Sequence, residues 1–169
     1  MGQDLPKKAG KAPTFAVWAQ KDPDSGNLDR VQIIKGWYQN GYPQEKIYDV
    51  ALSDSRKADP KTGKVPTVGN TVDIKNASYT NTIGDSMLSA VWTDPDFKPE
   101  FHAVYYVRVL EIPTPRWSTY DAKALGIAPP DSVEAAIQER AWSSPIWYTP
   151  EAKLVKKAPA YPDLHQIVN

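Results

Sequence analysis

The sequence predicts a mostly β fold: an antiparallel β-sandwich, immunoglobulin- or fibronectin-like in architecture, with one or two short helices after its central strand. Three observations predict it. Apolar and polar residues alternate at period two through most of the structured stretches, the pattern of strands with one buried face. Two such stretches flank Asn40-Gly41, the pair preferred in type I′ hairpin turns because both residues tolerate positive φ. Strands follow strands with turn residues between them and no βαβ alternation, which favours stacked sheets over a parallel α/β sheet.

The elements follow in order. Residues 15–19 place Phe15, Val17 and Ala19 on one face and Trp18 on the other. Residues 28–38 set Val31, Ile33 and Trp37 against Arg30 and Gln32. After the Asn40-Gly41 turn, a partner strand over 46–52 aligns Tyr48, Val50 and Leu52. Residues 53–70 are polar and broken by Pro60, Gly63, Pro66 and Gly69, a long excursion of the kind that is either functional or mobile. Short extended pieces are expected at 71–74 and 78–83, then a strand over 87–92.

Residues 103–112 are apolar on both faces and form the expected central strand, ended by Pro113 and Pro115. A short helix over 119–125 stops at Gly126, and Asp131-Ser132-Val133-Glu134 fits the capping box of a second. Residues 141–148 return to a strand that Pro145 confines to an edge or a bulge. The division expected is a flexible arm over 1–12, one sandwich domain over 13–149 and a Pro- and Lys-rich tail over 150–169.

Composition narrows the function classes. With 169 residues one domain is the default, long enough for a core without staples. Twenty Lys+Arg balance twenty Asp+Glu, which removes the cationic field that nucleic-acid or anionic-membrane binding needs. No Cys excludes disulfides, thiolate nucleophiles and thiolate metal sites, and two His exclude a His-rich metal centre. No stretch resembles a signal peptide or a membrane span, so the expectation is a soluble chain, cytoplasmic by default.

Four short motifs invite chemistry. Gly84-Asp85-Ser86, with Asp163 and His165 later, resembles the start of the Gly-Asp-Ser serine esterases, whose Asp and His lie near the C-terminus. Ser86 here leads into a strand rather than a helix, so the expectation is a turn. Asp22 to Asp29 alternates oxygens like a calcium loop, but Ile33 stands where the closing carboxylate belongs, and a plain turn fits better. Asp94, Asp96, Glu100 and His102 combine carboxylates with an imidazole, but Pro95 and Pro99 make them turn residues first. Asn76-Ala77-Ser78 is a formal glycosylation sequon. No catalytic residue, metal or cofactor is expected from these motifs.

The aromatics stand out as a population: Trp37, Tyr38 and Tyr42 at the hairpin, Trp117 and Tyr120 after the Pro break, and Trp142, Trp147 and Tyr148 on the last strand. Most should fill the core, while exposed ones suit sugar rings or apolar ligands, with Arg116 adding a cation.

Longer runs resemble a known family. Residues 28–37 (LDRVQIIKGW) and 46–51 (KIYDVA), residues 79–84 (YTNTIG) and 90–97 (AVWTDPDF), and residues 105–121 (YYVRVLEIPTPRWSTYD) and 138–148 (QERAWSSPIWY) are similar to the C-terminal region of a large bacterial family of unknown function. Members of that family are longer and resemble metal-dependent hydrolases of the polymerase-and-histidinol-phosphatase (PHP) type, with His and Asp ligands upstream of this region; many are predicted to be exported. Neither His102 nor His165 lies in such a ligand motif, so the resemblance implies a β-rich portion without the catalytic metal. The function it implies is a non-catalytic accessory domain, packing on a catalytic domain or self-associating through an apolar patch. The residues expected to shape a substrate entrance or bind a ligand are Arg116, Trp117, Tyr120 and Asp121, on a rigid Pro-flanked segment. The alternatives are an independent small-ligand or carbohydrate module using exposed Trp and Tyr and, last, a small serine esterase acting through Ser86.

Overall fold

The computed structural model describes residues 2–6 and 10–151. Eight strands and one helix run in the order β1 (Gln3–Asp4), β2 (Thr14–Gln20), β3 (Leu28–Gln39), β4 (Tyr42–Leu52), β5 (Met87–Thr93), β6 (Ala103–Pro115), α1 (Trp117–Leu125), β7 (Ala136–Trp142) and β8 (Ile146–Tyr148). A six-stranded sheet has the path β1-β8-β6-β3-β4, with β7 also paired to β6, and β2 and β5 form a separate antiparallel ribbon. The ribbon packs on one face of the large sheet. The fold is therefore mostly β and sandwich-like, with two open sheets.

The core lies where the predicted alternation put it. Phe15, Val17, Ala19, Leu88 and Trp92 of the ribbon meet Val31, Ile33, Tyr105, Val107 and Val109 of the large sheet. Phe15 and Tyr105 stand 5.0 Å apart between ring centroids, and Tyr48 and Trp92 4.8 Å apart. Trp18, Met87 and Val91 point outward from the ribbon and stay exposed. Asn40 and Gly41 both take positive φ, 55° and 85°, so the hairpin closes as its sequence requires.

Several local expectations need correction. A register shift between Val31 and Gln32 lets both Val50 and Ala51 pack on the core, which breaks the alternation of Tyr48, Val50 and Leu52. No strand forms over 71–83; that stretch is turns held by one isolated bridge, Asp73 to Ser78. β6 does not stop at Pro113 but continues through Pro115, pairing with β7 after a register shift between Leu110 and Pro113. Proline is tolerated there because its φ suits an extended chain and the shift absorbs the missing donors.

No second helix begins at Asp131. The Ala135 carbonyl accepts from the Arg116 amide (2.9 Å) and the Thr119 hydroxyl (2.7 Å), and 136–142 join the β6 ladder instead. Pairing with β6 gives this stretch a ladder of inter-strand hydrogen bonds in place of the unsatisfied ends of an isolated helical turn. Pro145 splits the expected last strand into β7 and β8. Within the stretch 1–12, Gln3 and Asp4 pair in parallel with β8, and Leu5 packs against the core. The tail beyond Glu151, with Asp163 and His165, lies outside the described residues.

Candidate functional site

The large sheet extends past the end of the ribbon, and there the loop that follows β5 folds over its inner face. Between them lies a cavity of 260 Å³ lined by Lys35, Trp37, Lys46, Asp96, Phe97, Lys98, Phe101 and Ala103. Direct pairing of Lys35 with Lys46 and Tyr105, and of Trp37 with Ala103, puts these side chains on one face. The walls are aromatic and the polar groups are mostly cations.

Lys35 sits at a core position of β3, in phase with Val31, Ile33 and Trp37. Its Nζ lies 2.6 Å from Asp94 Oδ2 and donates to the Asp96 carbonyl at 2.9 Å. Tyr105 donates its hydroxyl to the same Asp94 oxygen at 2.7 Å, and the Asp96 amide donates to the other at 2.9 Å. A buried ion pair survives only when its remaining hydrogen-bonding capacity is filled, as Asp94's is here. Nearer solvent, Asp96 Oδ2 accepts from the Lys46 ammonium and, at 2.7 Å, from the Tyr48 hydroxyl. These two hydrogen bonds hold the Asp96 carboxyl below the usual carboxylate range. Burial, reinforced by the bonds to Asp96 and Asp94, pushes the Tyr48 and Tyr105 hydroxyls well above the usual tyrosine value. Lys98 projects from the loop with Nζ 5.9 Å from the Phe101 ring centroid and has no ion-pair partner among the described residues.

The opposite face of the large sheet is a second distinctive surface. Register places Ile47, Ile34 and Tyr106 in one row across it, Asp49, Gln32, Arg108 and Trp142 in the next, and Val104 beside Trp147. Arg108 Nε donates to Gln32 (2.8 Å), which donates to Asp49 (2.8 Å), and Arg30 lies 3.5 Å from the same carboxylate. Ile47, Trp142 and Trp147 remain 45%, 59% and 51% exposed.

The residues singled out by sequence fall elsewhere. Arg116 precedes α1 with its Nε donating to the Glu134 carbonyl (2.9 Å), which anchors it. Trp117 and Tyr120 are exposed on α1, as is Asp121, so the helix presents one aromatic face to solvent. None of these four residues lines the cavity.

The other motifs have structural explanations. In the calcium-like loop the ammonium of Lys21 takes the carbonyls of Asp22, Pro23 and Ser25 at 2.7 to 2.9 Å, the place a cation would need. Asp94 and Asp96 are engaged by Lys35 and Lys46, and no group of three potential metal ligands occurs among the described residues. Gly84 has φ 75°, and Asp85 exchanges backbone hydrogen bonds with Leu28, so Gly84-Asp85-Ser86 is a bend around an isolated antiparallel bridge that leads into β5. Sequence reasoning missed the cavity's Lys35, Phe97, Lys98 and Phe101. A usable signal existed: a Lys in phase with the core residues of β3 must have a buried partner.

One family model matches residues 1–150, that of "Protein of unknown function (DUF3604)". The chain belongs to this family. The match takes in every strand and the helix, so the cavity and the open sheet face are both parts of the DUF3604 region. No curated protein and no solved structure matches the chain significantly. No described helix is long and apolar enough to cross a membrane.

Proposed function

We propose that this DUF3604 region is a non-catalytic interaction domain that docks on the catalytic part of a larger metal-dependent hydrolase. The observation that carries the reading is the open face of the large sheet. A sheet normally buries its apolar face against another layer, yet Trp142, Trp147 and Ile47 are exposed on this one. Trp, Tyr and Arg, here Trp142, Tyr106 and Arg108 in adjoining rows, are the residue types that carry most binding energy at protein interfaces. Trp117, Tyr120 and Asp121 on α1, behind the anchored Arg116, are the surface we assign to shaping the substrate entrance.

The test mixes this chain with the hydrolase part of a longer family relative and follows complex formation by light scattering. A one-to-one complex is expected, weakened about tenfold or more by Trp142→Ser or Trp147→Ser, as for an interface anchor. A folded chain that forms no complex overturns the reading. So does a homodimer lost in the same variants, which would make a second copy the occupant. Within the complex, Trp117→Ala should raise KM of the hydrolase part with little change in kcat.

A further inference from the structure

We infer that the cavity at the end of the sandwich is a binding site for a small aromatic monocarboxylate, with its ring against Trp37, Phe97 and Phe101 and its carboxylate on Lys98. The inference stands apart from the docking reading, because the cavity opens on the other face of the sheet.

Shape comes first. At 260 Å³ the cavity lies just below the roughly 300–1,000 Å³ of sites for drug-sized ligands, so it suits a single ring with a short polar arm. Three aromatic side chains give that ring stacking and edge contacts. Trp37 is fixed for this role: its Nε1 donates to Gln39 Oε1 at 3.1 Å, and the Lys35 ammonium lies 5.2 Å from its ring centroid.

Charge decides the ligand's sign. Three ammonium groups, Lys35, Lys46 and Lys98, meet two carboxylates, Asp94 and Asp96, leaving one positive charge. Lys35 and Lys46 are committed to those carboxylates, and the surplus is Lys98. One surplus charge at the mouth of an aromatic pocket matches a monoanion with an apolar body. It does not match a phosphate, which carries more charge and needs a cluster of donors. A neutral apolar molecule would fill the walls but gain no charge-assisted contact with Lys98.

The measurement is a titration of the 15N-labelled protein followed at its indole N–H signals, with the Trp37 signal assigned by Trp37→Phe. The probes are phenylacetate, its neutral amide phenylacetamide, and acetate. Phenylacetate should give a saturable shift at Trp37 that acetate does not. Affinity should fall about tenfold for phenylacetamide and for Lys98→Gln, the loss of one charge-assisted contact. Lys98 is exposed on its loop, so Lys98→Gln keeps the fold; Phe101→Ala should weaken phenylacetate binding independently. No saturable shift at Trp37, equal binding of acid and amide, or undiminished binding to Lys98→Gln each overturns the inference.

Discussion

Lys35 Nζ on β3 and Asp94 Oδ2 just past β5 stand 2.6 Å apart, with both side chains withdrawn from solvent, 4% and 0% exposed. This pair joins the two sheets at the end where the cavity opens. Asp94 is tied to the Pro13 carbonyl through its amide and to Tyr105 through its carboxylate. The loop that carries Phe97, Lys98 and Phe101 therefore starts from a fixed point.

Breaking that pair on one side should be costly. Asp94→Asn or Lys35→Met leaves an uncompensated buried charge, and a loss of about 3–5 kcal/mol in unfolding free energy is expected. The double replacement Lys35→Met with Asp94→Leu should recover only part of it, since it removes both charges but leaves the Tyr105 hydroxyl and the Asp96 amide without their acceptor. Urea unfolding of the three variants checks this. A single variant within about 1 kcal/mol of the parent would show that water reaches the pair.

The alkaline limb of stability should carry the mark of Tyr105 and Tyr48. Their folded-state values are raised, chiefly by burial, above the usual value of about 10. The unfolded chain therefore ionises first as pH rises. Their contribution is complete below about pH 10 and is lost progressively above it, toward the folded-state values. Tyrosinate absorbance at 295 nm should show these two hydroxyls ionising only together with unfolding, and Tyr105→Phe should flatten the stability decline above pH 10. Asp96 has the opposite sign: its lowered value gives stability that is present above about pH 4 and fades as the pH falls below it.

Gly84 should not accept a side chain. Its φ is 75°, and an added Cβ would stand 2.7 Å from Ile112 Cγ2 and 2.9 Å from both Asn27 Cβ and the Leu28 carbonyl oxygen. Gly84→Ala is expected to cost about 2 kcal/mol or more from strain and overpacking together. Thermal unfolding measures it, and a melting temperature equal to the parent's would mean the bend into β5 can rearrange.

Asp29 should control the excursion over 53–70. Its carboxylate is buried and receives Arg30 Nε (3.0 Å), the Arg56 guanidinium and Gln138 Nε2 (3.1 Å), while its carbonyl accepts from Arg56 and from the Ser53 amide. Arg56 also reaches the Pro66 carbonyl at 2.8 Å, so one guanidinium fastens both ends of the segment. Asp29→Ala should lower stability by about 3 kcal/mol and speed proteolytic cleavage within 53–70. Unchanged cleavage would assign the anchoring to the remaining backbone contacts alone.

Much of this was legible in the sequence because it is local. The alternation in β2, β3 and β5 declares which side chains face inward, and Asn40-Gly41 and Gly126 declare a turn and a helix end through positive φ. Residues 131–134 carried the signal of a helix start as clearly, yet became a bend. Their capping energy is small beside the hydrogen bonds that β7 gains on β6. Pro113 and Pro115 misled in the opposite direction, because a bulge next to a partner strand accommodates what an isolated strand would not.

The sequence by itself determined the β class, the inward faces of the strands and the absence of thiol chemistry, since these follow from residue type and period. Only the tertiary structure decided what Lys35 does in a core strand, that Asp94 and Asp96 answer ammonium groups, and that Trp142 and Trp147 share an open face with Arg108. Each of these depends on pairings between residues far apart in the chain. Such pairings are set by sheet register and by the packing of one sheet on another, which no short stretch of sequence specifies.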